Sequence, residues 1–283
     1  MALVQLARAT GQGESAQPGA ESPVRVTLTL PFFATSNAVS EAANVTTTGA
    51  GADADLAPDL QVDWARQFGP VRLSTNLDGT VERFPRHPSE SSDSIFGTVR
   101  LALTDGISER LVPFIQYRGG MDFTPLYRTR QDTLHTLSAG VRTGFGLTGS
   151  GSAIARPDAV QPGQTATWIE VQAGKRFANP ADLNATFVQV KGETQYTITP
   201  ALQFTLAPTV RYRHYDLYYG SQRRDLFLHM EGTLGWTPSW LTRLNPDAEL
   251  DLVVYYERNL STYSSARYAN WTGGPQIVLG WKF

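Results

Sequence analysis

The chain contains no cysteine, only four histidines and no run of 18 consecutive apolar residues. Without cysteine there is no disulfide framework to read, and the redox compartment stays open. Without a long apolar run the chain is not a helical membrane protein. It also lacks an excess of charge of either sign: 24 Lys and Arg stand against 26 Asp and Glu, a net charge of −2. That balance leaves no basic footprint for nucleic acid. No metal-ligand spacing and no Gly-rich phosphate loop stands out, so neither a metal nor an organic cofactor is expected. The opening Met-Ala-Leu-Val-Gln-Leu-Ala-Arg has neither a charged n-region nor an adequate apolar h-region. We therefore read the chain as a mature form, its signal peptide removed and a start Met added.

What is present is alternation with a period of two, the signature of strands. Leu250, Leu252, Val254 and Tyr256 take turns with Glu249, Asp251, Val253, Tyr255 and Glu257. Leu226, Leu228, Met230 and Leu234 bracket Phe227, His229, Glu231 and Thr233, and Phe204, Leu206, Val210 and Tyr212 bracket Gln203, Thr205, Arg211 and Arg213. Val188 and Val190 alternate with Gln189, Lys191 and Glu193. A soluble sandwich also alternates, but its strands average about 5 to 6 residues, whereas these runs reach about 10 to 13, the span of a tilted membrane strand. The slightly negative mean hydropathy fits, because only alternate residues of such a strand meet lipid.

The final run carries the most specific signal. Phe283, Trp281, Leu279 and Ile277 share one face, with Lys282, Gly280, Val278 and Gln276 on the other. This strand resembles the closing strand of bacterial outer-membrane β-barrels, whose C-terminal Phe is read by the assembly machinery. The resemblance implies an all-β fold, a transmembrane antiparallel up-and-down barrel in the cell outer membrane, with Phe283, Trp281 and Leu279 as assembly signal. Strand candidates fall at 23–33, 58–67, 71–84, 93–104, 111–122, 134–146, 166–177, 186–198, 202–215, 225–237, 248–258 and 271–283. They number about twelve, the even count that single-chain bacterial barrels require. Residues 23–283 form the barrel, and 1–22 a periplasmic tail or a plug that enters the lumen. With the N-terminus in the periplasm, the connections on that side are mostly short and those facing outward longer. The exception is 147–165, read as a flexible periplasmic excursion.

Parity then divides the side chains. The basic lumen candidates are Arg72, Arg100, Arg118, Arg142, Lys191, Arg211, Arg213 and Lys282. The acidic ones are Asp63, Asp78, Glu82, Glu170, Glu193, Glu231, Glu249, Asp251 and Glu257. Such a mixture either pairs across the interior or segregates into tracks. Tyr212, Tyr215, Tyr218, Tyr219, Tyr255, Tyr256, Tyr263, Tyr268 and Trp271 are expected in an outer aromatic girdle. Trp64, Phe68, Phe145, Phe204, Trp236 and Trp281 are expected in an inner one. The strand count and mixed lumen resemble small monomeric twelve-stranded channels that pass acidic sugars along arginine tracks, although the basic bias of those channels is absent here. The expected function is passive diffusion of small hydrophilic solutes or ions through a narrow lumen. Expected partners are that solute, outer-membrane lipids and lipopolysaccharide, and the barrel-assembly machinery, with the chain a monomer.

Catalysis is the competing class. The outer-membrane phospholipase pairs a His with a Ser two residues on, whereas His135 is followed at that offset by Leu137, and Ser138 lies on the opposite face. His214 and Asp216 are similar to the His/Asp placement of outer-membrane proteases, but a second carboxylate pair has no clear match. Glu231 lies two residues from His229, an acid/base pair without a nucleophile. No enzymatic activity is therefore expected; a scaffold, a receptor or the barrel domain of an export apparatus remains the alternative. The run Arg211-Tyr212-Arg213-His214-Tyr215-Asp216-Leu217-Tyr218-Tyr219, continuing to Arg223 and Arg224, is either a rim girdle or a site where Arg223 and Arg224 meet lipid phosphates.

Overall fold

Fourteen strand segments make one antiparallel sheet that closes on itself. They are β1 (Val24–Pro31), β2 (Phe33–Thr35), β3 (Asp53–Asp55), β4 (Asp59–Phe68), β5 (Val71–Glu82), β6 (Ser92–Leu103), β7 (Leu111–Phe123), β8 (Arg130–Gly146), β9 (Thr165–Asn179), β10 (Ala185–Thr199), β11 (Leu202–Tyr215), β12 (Arg224–Trp236), β13 (Glu249–Ser261) and β14 (Tyr268–Lys282). This computed structural model describes residues 24–36, 52–104, 111–146 and 162–283. The expected N-terminal tail or plug, most of the 147–165 connection and the side chain of Phe145 lie outside the described residues.

Fourteen segments amount to twelve staves. Against β14, Pro31 faces Gln276 and Ala34 faces Gly273, so β2 carries on the register of β1 across Phe32. Against that stave, Thr29 faces Asp59 and Phe33 faces Asp55, so β3 likewise carries on β4. Every other strand pairs with its sequence neighbours, and β1 with β14 closes the barrel. Closure leaves no sheet edge to recruit other chains. The expected strand positions agree closely, and β8 and β9 run further at their outer ends than 134–146 and 166–177 suggested. Gly146 and Ala166 face each other across β8 and β9, so the connection between them joins adjacent staves and leaves the strand count intact.

The first and the last described residues meet at one mouth, the termini mouth, where Phe283 donates its N–H to the carbonyl of Val24 at 2.9 Å. Here β4 and β5 are joined by Gly69-Pro70, with Gly69 at φ +58°, and β10 and β11 by Pro200-Ala201. The opposite mouth, the far rim, carries short 3₁₀ turns at Pro88–Glu90, Pro125–Tyr127, Ala181–Leu183 and Ser264–Ala266. At that rim the closing seam is pinned by side chains: Thr35 and Ser36 donate to the Asn270 amide oxygen at 3.0 and 2.9 Å. Beside it, Asp53 accepts from the backbone N–H groups of Ala54, Arg86 and His87 and meets the His87 ring at 3.1 Å.

Candidate functional site

The strand period sorts side chains onto two surfaces of opposite character. Along β13, Leu252 is 53% exposed and Val254 46%, while Val253 is 4% exposed and Glu257 wholly buried. The same division runs round the barrel: Leu77, Ile115, Leu137, Val188 and Trp271 are exposed on the outside, while Arg72, Glu170, Gln189, Arg211 and His229 are buried within. The inner surface is thus polar and the outer surface a largely apolar belt. In water that belt would be a large exposed hydrophobic patch; in a bilayer it is the lipid contact.

Of the seventeen lumen candidates of the sequence, sixteen face inward: Asp63, Arg72, Asp78, Glu82, Arg100, Arg118, Arg142, Glu170, Lys191, Glu193, Arg211, Arg213, Glu231, Glu249, Asp251 and Glu257. Lys282 instead sits at the termini mouth, bonded to Asp247 at 2.8 Å. The inward groups fall into clusters. At the centre, Arg100 of β6 reaches across two staves to Glu170 of β9 with bonds of 3.0 Å to each carboxylate oxygen, and its Nε donates to Gln116. Lys191 and Arg142 flank Glu170 in register on either side. Nearer the far rim, Arg118 holds both oxygens of Asp78 at 3.2 and 3.3 Å, with the buried Asp122 on the same stave as Arg118. Glu82 takes a bond from Ser92 at that rim.

A third cluster occupies β9 to β12 under the far rim. Arg176, Arg211 and Arg213 are buried, and among the described residues none has a carboxylate within ion-pair distance. Arg211 Nε and Nη2, Arg213 Nη2 and Arg176 Nη2 have no protein partner. Arg223 differs, being tied to Asp225 by its Nε at 2.9 and 3.0 Å and by Nη2 at 2.5 Å. Its plane lies between Tyr215 and Tyr218, 4.5 and 4.4 Å from the ring centres. Toward the termini mouth the lining turns acidic. His229 stands between Glu257, 3.1 Å from Nδ1, and Glu231, 3.6 Å from Nε2. Gln203 links Gln195 to Glu249, and Gln276 donates to Asp251 at 2.7 Å.

Aromatic rings support the arginines, which sequence parity did not suggest. Arg100 lies 4.0 Å over Phe114, Arg118 4.7 Å over Phe96, Arg142 4.1 Å over Trp168 and Arg211 4.8 Å over Phe227. Ring faces attract guanidinium groups and hold them flat against the wall. The outer girdle needs the matching correction. Tyr212, Tyr219 and Trp271 are exposed, but Tyr215, Tyr218 and Tyr255 are buried on the inner side, because Arg176, Arg223 and His229 use their rings. At the termini end Phe68, Phe204, Trp236 and Trp281 are exposed as expected. Trp281 and Phe283 project outward at the end of β14, with Leu279 on their parity.

Among the described residues the two histidine patterns weighed in the sequence are not assembled. Ser138 faces inward and bonds to Gln172, while His135 faces outward against the Tyr117 hydroxyl at 2.6 Å. Asp216 is taken by Lys175 at 2.9 Å.

A closed antiparallel barrel, polar within and apolar without, decides the class. The chain is an outer-membrane β-barrel. No family model and no curated protein sequence matches it. Among solved structures, an outer-membrane channel from Pseudomonas putida F1 is similar to the barrel at TM-score 0.54 and 10% identity, over 94% of this chain and 100% of that one. The NanC porin matches at 0.44 and 9%, over 90% and 100%, and LpxR from Salmonella typhimurium at 0.44 and 9%, over 90% and 99%. The barrel's place is the outer membrane.

Proposed function

We propose that the barrel is a passive channel for small hydrophilic solutes or ions, its narrow lumen lined by these inward charged residues. The observation that carries this reading is the state of the inner wall. Buried donors and acceptors on Arg72, Arg211, Arg213, Asp251 and Glu257 have atoms without a protein partner. Polar groups left so in a dry core cost too much, whereas a column of water satisfies them at little cost. Twelve staves also give a bore between the filled interior of eight-stranded barrels and the open channel of sixteen-stranded ones. The similar fold of a Pseudomonas channel supports the reading at the level of fold alone.

The lumen charges balance in number but not in place. Arg176, Arg211 and Arg213 gather under the far rim, and Glu231, Glu249 and Asp251 toward the termini, so a permeating ion meets zones of opposite sign in turn. Purified barrel in planar bilayers is expected to give small conductance steps of weak ion selectivity. Arg211→Glu together with Arg213→Glu is expected to shift that selectivity toward cations. Bilayers that stay silent over many insertions would overturn the channel and favour a scaffold, a receptor or an export domain. An unmoved reversal potential would remove the arginine zone from the path.

A further inference from the structure

One stretch of the outer surface breaks the apolar belt. On β13 the outward positions Leu250, Leu252, Val254 and Tyr256 are followed by Arg258 and then Leu260, and Arg258 is exposed on the lipid side. On β12 the outward position at the far-rim end is Arg224, which faces His214 across the sheet. Between them lies an open basin of about 950 Å³, floored by Tyr212, Leu226 and Leu260 and edged by both arginines. Among the described residues neither guanidinium has an ion-pair partner. Asp225, nearest in sequence to Arg224, is turned inward onto Arg223, and Asp216 is taken by Lys175. Glu257, beside Arg258, is wholly buried against His229.

We propose that this basin binds the phosphate of a phosphorylated glycolipid in the leaflet that surrounds the far rim. Three features fix the occupant. An arginine on the lipid face is strongly disfavoured at mid-bilayer and tolerated only at headgroup depth, so Arg258 marks that depth. Tyr256 and Trp271, packed ring to ring at 4.8 Å one row below it, mark the same interface. The floor is apolar and the edge cationic and unneutralised, the complement of a molecule whose acyl chains meet a phosphorylated head. A guanidinium binds phosphate through two parallel N–H donors. The expected pair Arg223 and Arg224 is thereby corrected: Arg223 belongs to the interior, and Arg258, 35 positions on, takes its place. The far rim faces the outer leaflet if the termini lie in the periplasm, so lipid A is the probe.

The test uses the whole barrel, folded in detergent and checked by heat-modifiable migration. Native mass spectrometry compares retention of bis-phosphorylated lipid A with that of its dephosphorylated form. Wild type is expected to retain the phosphorylated form at least tenfold better, and Arg224→Ala with Arg258→Ala to lose that preference. Arg66→Ala, an outward arginine at the termini end, is expected to keep it. Should the double variant not fold, Arg258→Gln alone is expected to lower the preference severalfold. Equal retention of the two lipids by wild type, or a folded double variant that binds as wild type does, would overturn the site. Conductance plays no part in this measurement, so its outcome is independent of the channel reading.

Discussion

A single step along β13 separates two environments that share a backbone. Leu252 projects into the belt, and Asp251 projects into the lumen, where it accepts from Gln276. Leu252→Arg places a charge on the lipid face at mid-strand, which costs about 2 to 4 kcal/mol. Asp251→Asn keeps the shape and the hydrogen-bonding oxygen, and its consequence is confined to ion selectivity. Urea titrations in liposomes are expected to rank Leu252→Arg far below Asp251→Asn, and the opposite ranking would mean that the strand's faces are inverted. This inside-outside choice is the part of the molecule most legible in the sequence, because one side chain in two repeats it along each stave. What each inward residue touches is less legible. Arg176 shares the parity of Glu170 on β9 and could have been marked from the sequence alone. Its place beside Arg213 depends on register across β10, and no single strand carries that information.

At the scale of the strand, inward glycines decide where rings can lie. A Cβ on Gly140 of β8 would stand 2.7 Å from the Phe114 ring and 2.4 Å from the Val171 carbonyl oxygen. One on Gly120 of β7 would meet the Phe96 ring at 2.3 Å. These are the rings that carry Arg100 and Arg118. The missing side chain on one stave is thus the floor for an aromatic on the next, and the aromatic is the platform for a lumen cation. Gly140→Leu should displace Phe114, unseat Arg100 from Glu170 and destabilise the barrel by about 1 to 3 kcal/mol, the usual range for overpacking. Gly232→Ala, where the nearest atom would be 3.8 Å away, should cost little by comparison. Equal losses for the two in the same liposome titration would mean that the ring platform has no energetic weight. Alternation predicts a strand at both positions, but the ring that needs the glycine lies on the neighbouring stave and is invisible in a linear reading.

The whole barrel is held by closure, and closure runs through the last residues of the chain. From Arg25 facing Lys282 to Pro31 facing Gln276, β1 and β14 are in continuous register, and the Phe283 N–H adds a final bond to Val24. These are backbone bonds, indifferent to the side chain at 283. The Phe283 ring itself is 69% exposed on the outer surface, so it contributes little to the closed structure in isolation. Its side chain is therefore separable from closure, and the assembly role expected for it can be tested apart from folding. Phe283→Asp is therefore expected to refold in detergent with nearly wild-type stability, since one outward side chain is a small part of the belt. In cells the same variant is expected to reach the outer membrane poorly, measured by its yield in the outer-membrane fraction and its protease accessibility at the surface. Normal delivery would separate the terminal Phe from assembly, and a collapse of refolding in detergent would mean that the side chain matters to closure itself.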